Sequence, residues 1–129
     1  MSGYTSKEEM EPVVRRFIEN MSKDEAIIKR SKGLKCTLGF EIPDVNLSFH
    51  TDFLDGVVSG GIGEADPPSM VFLEMDSETF DGMFTGEVDG ASAAMSGAMT
   101  FSGDMSAAMG LQVLQDDMSR VYLASKKIK

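Results

Sequence analysis

Hydrophobic positions change period along the chain, and each change marks an element. Met10, Val14, Phe17, Ile18 and Met21 recur at spacings of three and four, which predicts an amphipathic helix over 6–20. Thr5-Ser6-Lys7-Glu8 places a hydroxyl three residues before a glutamate, the spacing of a capping box. Ser22-Lys23-Asp24-Glu25 repeats that signal for a short helix through Arg30, and Gly33 can take the left-handed stop. From Leu34 the period drops to two. Leu34, Cys36, Leu38, Phe40 and Ile42 alternate with Lys35, Thr37, Gly39 and Glu41, which reads as a strand with one apolar face. Pro43-Asp44 turns the chain. Val45, Leu47, Phe49 and Phe53 then alternate with Asn46, Ser48, His50 and Asp52 as a second strand. Asp55-Gly56 is a hairpin signal leading to a third strand over 57–63. Asp66-Pro67-Pro68 breaks the chain, and Met70 to Met75 reads as a fourth strand.

After Asp76 the texture changes. Asp76 or Ser77 can cap a helix carrying Phe80, Met83 and Phe84, ended by Gly86. Ala91 to Ser96 is a short helical piece closed by Gly97, and Ala98 to Ser102 alternates as a last strand ended by Gly103. Met105, Ala108, Met109, Leu111, Leu114, Met118, Val121 and Tyr122 then predict one long helix. Strands with a clean polar face imply an antiparallel sheet, wet on one side and covered on the other. With helices grouped towards the two ends of the chain, the fold class is α+β, helices on one face.

Charge sharpens this picture. The 129 residues hold 12 Lys and Arg against 21 Asp and Glu, a net charge of −9. No lysine or arginine occurs between Cys36 and Ser119, where fifteen carboxylates fall. Such a chain lacks the basic footprint of a nucleic-acid binder. Its middle also has no cationic side chain to hold a phosphate, a nucleotide or coenzyme A. The longest uncharged stretch, Gly90 to Gly103, is 14 residues of mostly Gly, Ala and Ser, too short and too polar to span a bilayer. The first residues show no basic leader before an apolar run, and the lone Cys36 cannot form an internal disulfide. The expectation is one domain over residues 1–129, cytoplasmic, without stable membrane insertion.

Candidate chemistry is sparse. Ser48, His50 and Asp52 share the polar face of one strand. Alternate residues stand about 7 Å apart along the backbone, which sets them outside hydrogen-bond reach, so His50 reads as an exposed sheet histidine. Cys36 lies on an apolar face, where a thiol acts as a small hydrophobe. Ser59-Gly60-Gly61-Ile62-Gly63 lacks the third glycine and following helix of a dinucleotide fingerprint. In Asp76 to Gly82, Phe80 occupies an oxygen-ligand position and no glutamate closes the loop, so calcium is not expected. No catalytic residue, metal ligand or cofactor is expected. What remains is a segment rich in Met, Gly, Ala and Phe, with six of the 11 methionines between Met83 and Met118. Methionine is unbranched and repacks around different neighbours. The segment suits either an ordinary core or a cavity for a flexible apolar guest.

The run Met75 to Gly86 (MDSETFDGMFTG), then Asp89 to Met105 (DGASAAMSGAMTFSGDM) and Ala107 to Leu111 (AAMGL), resembles the signature of the sterol carrier protein type 2 family. About 40 residues match in order and spacing, and the upstream helix–strand pattern agrees. The resemblance implies a five-stranded mixed, largely antiparallel sheet covered on one face by about five helices, with an apolar tunnel between sheet and helices for fatty acyl chains, acyl-coenzyme A or sterols. In that picture Phe84, Met95, Ser96, Met99, Phe101, Met105, Met109 and Leu114 line the tunnel. Ser96 stands where the family commonly has a glutamine. Glu87, Ala98, Thr100 and Ser102 replace basic residues around the late strand, and Asp104 replaces an asparagine. These departures argue against acyl-coenzyme A and anionic membranes and favour an uncharged or weakly polar lipid. The chain ends Lys-Lys-Ile-Lys, without a peroxisomal tripeptide.

Three functions follow from this reading: a non-catalytic lipid carrier, an accessory protein presenting cargo to a partner enzyme, and a small hydrolase or isomerase on apolar substrates. The ligand, the partner and the oligomeric state stay open.

Overall fold

The computed structural model describes residues 4–65 and 68–127. The break expected at Asp66-Pro67 lies outside the described residues. A long helix α1 (Lys7–Lys23) is followed by a short α2 (Glu25–Arg30) and the hairpin strands β1 (Lys35–Ile42) and β2 (Leu47–Leu54). Next come β3 (Val57–Ile62), β4 (Val71–Met75), α3 (Ser77–Thr85), α4 (Gly90–Ser96) and β5 (Met99–Gly103). The chain closes with α5 (Met105–Gly110), a 3-10 turn (Leu111–Leu114) and α6 (Gln115–Lys127).

The strands form one sheet in the order β3-β2-β1-β4-β5. Every neighbouring pair is antiparallel except β1 with β4, which run parallel with Leu38 opposite Val71 and Phe40 opposite Leu73. The fold is therefore α+β with a mixed sheet. Parallel neighbours need a long crossover, and here the β2–β3 hairpin and the segment after it supply the connection between β1 and β4. Cys36, Leu38, Phe40 and Ile42 on β1, and Leu47, Phe49 and Phe53 on β2, are buried on the covered face. They join Phe17 of α1, Phe80 and Phe84 of α3 and Tyr122 of α6 in one core. No helix among the described residues is long and apolar enough to cross a membrane.

Several boundaries differ from the sequence reading, each for a local reason. The cap of α1 is Ser6, which accepts from the Glu9 N–H, while the Glu9 carboxylate accepts from the Thr5 N–H. The capping exchange is thus made one residue later than Thr5–Glu8. At the other end α1 runs to Lys23, and Asp24, not Ser22, caps α2 by accepting from the Ile27 N–H. Val45 sits in a 3-10 turn over Pro43–Val45 and is buried there rather than in a strand. Asn46 follows at φ 53°, and β2 begins only after this left-handed residue.

The expected single C-terminal helix is divided at Gly110 and the following 3-10 turn. Glycine is a weak helix former, and here a side chain would stand 3.3 Å from Leu34 Cδ2. Gly110 lets the helical layer approach the start of β1 at the cost of helix continuity.

Candidate functional site

The covered face of the sheet is not filled along its whole width. Under α1, α3 and α6 the aromatic side chains interlock edge to face: Phe80 stands 5.0 Å from Phe84 and 5.5 Å from Tyr122, and Phe17 5.5 Å from Phe84. Towards β4 and β5 the helices stand off, and a cleft of about 660 Å³ opens to solvent. Its floor follows from strand alternation. Leu38 and Phe40 of β1, Val71 and Leu73 of β4, and Met99 and Phe101 of β5 all line it. Phe40, Leu73 and Phe101 are register partners in turn, so they form one row across three strands.

One wall is α3 and the loop behind it, with Met83, Phe84, Gly86, Val88 and Asp89. Phe84 is 4% exposed and belongs both to this wall and to the aromatic core, which holds it in place. Gly82 permits the loop to fold back: the Val88 N–H donates to the Gly82 carbonyl, and a side chain at position 82 would collide with Val88. The opposite wall comes from the last helices, through Ala108, Leu111, Gln112, Gln115 and Met118. Among the described residues, Asp89, Gln112 and Gln115 carry the only polar side chains of the lining, and none of it is cationic.

The residues singled out from sequence separate into three groups. Phe84, Met99 and Phe101 are brought together around the cleft. Leu114 is fully buried in the core. Met95, Met105 and Met109 point to solvent, 89%, 59% and 61% exposed. The exposed Ser96 donates its hydroxyl to the Ala93 carbonyl at 3.2 Å. On α5 the methionines at 105 and 109 lie one helical turn apart on the outer stripe, continued by Val113. The smaller Ala108 and the following Leu111 face inward. Alanine allows a helix to lie close over a sheet, and the bulkier side chains turn outward.

Sequence reasoning passed over Leu38, Phe40, Val71, Leu73, Met83, Val88, Gln112, Gln115 and Met118. Strand alternation already placed Leu38 and Phe40 on the covered face. Nothing local distinguished covered positions that meet a helix from those that face a gap.

On the opposite, polar face the expectation for His50 is corrected. Its Nδ1 lies 2.9 Å from Asp52 Oδ2, well within hydrogen-bond distance, and the imidazole is 19% exposed. Backbone spacing underestimated the reach of two side chains leaning towards each other along the strand. The cross-strand partners of His50 are Gly39 and Gly61, and a side chain on Gly61 would stand 3.2 Å from the imidazole Nε2. Gly61 therefore makes the room in which the ring lies, whereas the space beside Gly39 is taken by the Phe72 ring and the Ser69 hydroxyl. Ser48 is directed elsewhere, donating to Glu41 at 3.3 Å, so no nucleophile–base–acid relay forms. Ser59 to Ile62 is ordinary β3 strand, and Asp76 is spent capping α3 through the Thr79 N–H. Cys36 is 1% exposed, and burial pushes its thiol up to about 11, which suppresses the reactive thiolate. Among the described residues no group of three His, Cys, Asp or Glu is placed to hold a metal ion.

Residues 15–116 match the SCP-2 sterol transfer family. No curated protein sequence matches the chain. Among solved structures, the sterol carrier protein domain 2 of Helicoverpa armigera superposes with a TM-score of 0.70 at 16% identity, covering 93% of this chain and 95% of that one. A conserved hypothetical protein of Thermus thermophilus gives 0.68 at 17% identity, covering 96% and 94%. The inverting sec-alkylsulfatase Pisa1 of Pseudomonas sp. gives 0.58 at 17% identity over 73% of this chain, which spans only 14% of that enzyme. At such identities the likeness is one of fold.

Proposed function

Because the chain belongs to the SCP-2 sterol transfer family, we propose that it is a non-catalytic carrier of an apolar lipid, folded as one domain and holding its cargo against the sheet. The observation that carries this reading is the cleft itself. Its volume of about 660 Å³ falls within the roughly 300–1,000 Å³ usual for small-molecule sites, as does its apolar lining with a few convergent polar groups. Phe84, Met99 and Phe101 are the contacts assigned to the cargo, together with Leu73, Met83 and Leu111. Met95, Ser96, Met105 and Met109 are assigned to its surroundings.

The energetics are adequate without a salt bridge. Burying a chain of about 14 methylenes is worth about 11 kcal/mol at roughly 0.8 kcal/mol each. Association and ordering cost at least several kcal/mol, which leaves micromolar affinity within reach. A cytoplasmic setting fits the single buried thiol.

The test is uptake of a neutral solvatochromic dye and its displacement by lipid. Met99→Trp fills the cleft from the half-buried edge strand β5 and is expected to weaken uptake at least about ten-fold. Met95→Trp, on a position 89% exposed, is expected to leave it unchanged. Equal uptake by both variants would refute the assignment of the cleft. His50→Ala, on the far face, is expected to leave uptake intact, and loss of a hydrolytic or isomerase activity in that variant would favour the enzyme reading instead.

A second reading, presentation of the cargo to a partner enzyme, is favoured by the exposed Met105, Met109 and Val113. Methionine-rich surfaces adapt to several partners. A partner lost on Met105→Asp and Met109→Asp substitution, with dye uptake unchanged, would support it.

A further inference from the structure

Among the described residues, the polar part of the cleft carries one negative charge and no positive one. Asp89 uses Oδ2 to accept from the N–H and hydroxyl of Ser92, at 3.1 and 3.0 Å. No hydrogen bond to its Oδ1 forms among the described residues. Gln115 donates through Nε2 to the Ser119 hydroxyl at 3.4 Å, which leaves its amide oxygen available as an acceptor. Gln112 is exposed and lines the same mouth. Lysine and arginine are missing from the whole of 37–119, so β2 to β5 and the α3–α5 region bring no cation to the mouth. A buried or half-buried head group must find complementary partners, or it loses its hydration without compensation. A carboxylate, sulfate or phosphate would meet the like charge of Asp89 with no cation beside it, and only the two glutamine amides to donate to it. A donor head would meet three side chains able to receive it.

We infer that the cleft takes amphiphiles whose head group donates hydrogen bonds and bears no negative charge, a protonated primary amine best and an alcohol next, and that it discriminates against carboxylates. This rests on the carrier reading above and adds the chemical class of the cargo. Asp89 is the specificity residue. An amine approaching Asp89 gains a charge-assisted contact, while an anion is repelled by about the same amount at this exposed carboxylate. Each effect is roughly two-fold to five-fold in affinity.

The experiment is displacement of a bound neutral dye by tetradecylamine, tetradecanol and tetradecanoate at neutral pH, each below its aggregation threshold. The expected order is amine, then alcohol, with tetradecanoate weaker than the amine by about four-fold or more. Asp89→Asn keeps a good helix cap and is expected to shrink the amine-to-carboxylate ratio about four-fold or more. Asp104→Asn is the control: it caps α5, changes net charge equally and lies outside the cleft lining. It is expected to leave the ratio unchanged. Equal binding of tetradecanoate and tetradecanol, or equal effects of the two substitutions, would overturn the head-group inference while leaving the carrier reading standing. Failure of the dye and of all three amphiphiles to bind would overturn both.

Discussion

Tyr122 donates its phenol hydrogen to Asp81 Oδ1 at 2.6 Å, in a part of the core where the ring is fully buried and the carboxylate 1% exposed. The same oxygen accepts from Lys126 Nζ at 2.6 Å, and the Tyr122 hydroxyl is paired with that of Tyr4. This small polar cluster ties α3, α6 and the segment before α1 together next to the wall of the cleft. A buried carboxylate left without its cation is costly, because its lost hydration is no longer offset.

Lys126→Met is therefore expected to destabilise the protein by about 2–3 kcal/mol, and Asp81→Ala by about 3 kcal/mol, since the latter orphans both the Tyr122 hydroxyl and the ammonium group. Urea unfolding of the two variants measures this. A loss under about 0.5 kcal/mol in both would mean that the cluster is not closed as described.

Stability is expected to fall in alkali. Burial holds the Tyr4 hydroxyl up at about 12 and raises that of Tyr122 as well, aided by its bond to Asp81. The ordinary value in an unfolded chain is about 10. The folded state thus binds these protons more tightly, so its stability is intact below pH about 10 and declines as pH rises towards 12. Melting temperature followed across this range, alongside tyrosinate absorbance, reads the effect. Tyr4→Phe is expected to flatten the decline, and an unchanged slope would rule Tyr4 out as a contributor.

Asp24 offers the opposite case at low pH. Arg120 donates to its Oδ2 at 2.8 Å, and that contact holds the carboxyl below the usual carboxylate range, helped by the cap bond to Ile27. A depressed value contributes stability that is present above about pH 4 and lost as pH falls through the folded-state value. Because Arg120 is half exposed, Arg120→Ala is expected to cost less than about 1 kcal/mol. Its clearer signature is titration of Asp24 by NMR, with the midpoint moving up. A midpoint that does not move would remove Arg120 as the cause.

The seat of α1 on the sheet depends on Gly60. A side-chain carbon there would overlap the His50 carbonyl oxygen and stand 3.0 Å from Ile18 Cγ2. Gly60→Ala is expected to destabilise by about 1–3 kcal/mol, read by thermal unfolding, whereas full stability would mean that β3 and α1 have room to separate.

How far all this was legible in the sequence depends on the range of the forces involved. Period-two alternation in Cys36 to Ile42 and in Leu47 to Phe53, and three–four spacing from Met10 to Met21, are local consequences of backbone geometry. They identified the elements and their buried faces, and the glycine and methionine pattern after Met75 carried the family resemblance. The capping residues shifted by a position or two because a neighbouring Ser, Thr or Asp can serve as well, and tertiary contacts choose among them. The pairing of β1 beside β4, the division of the last helix where Gly110 meets Leu34, and the turning of Met105 and Met109 to solvent were not written in any local window. Neither was the contact of His50 with Asp52 in the space left by Gly61. Each depends on which distant segment occupies the neighbouring volume. Close packing settles that only when the whole chain is assembled, and the cleft is the volume that assembly leaves unfilled.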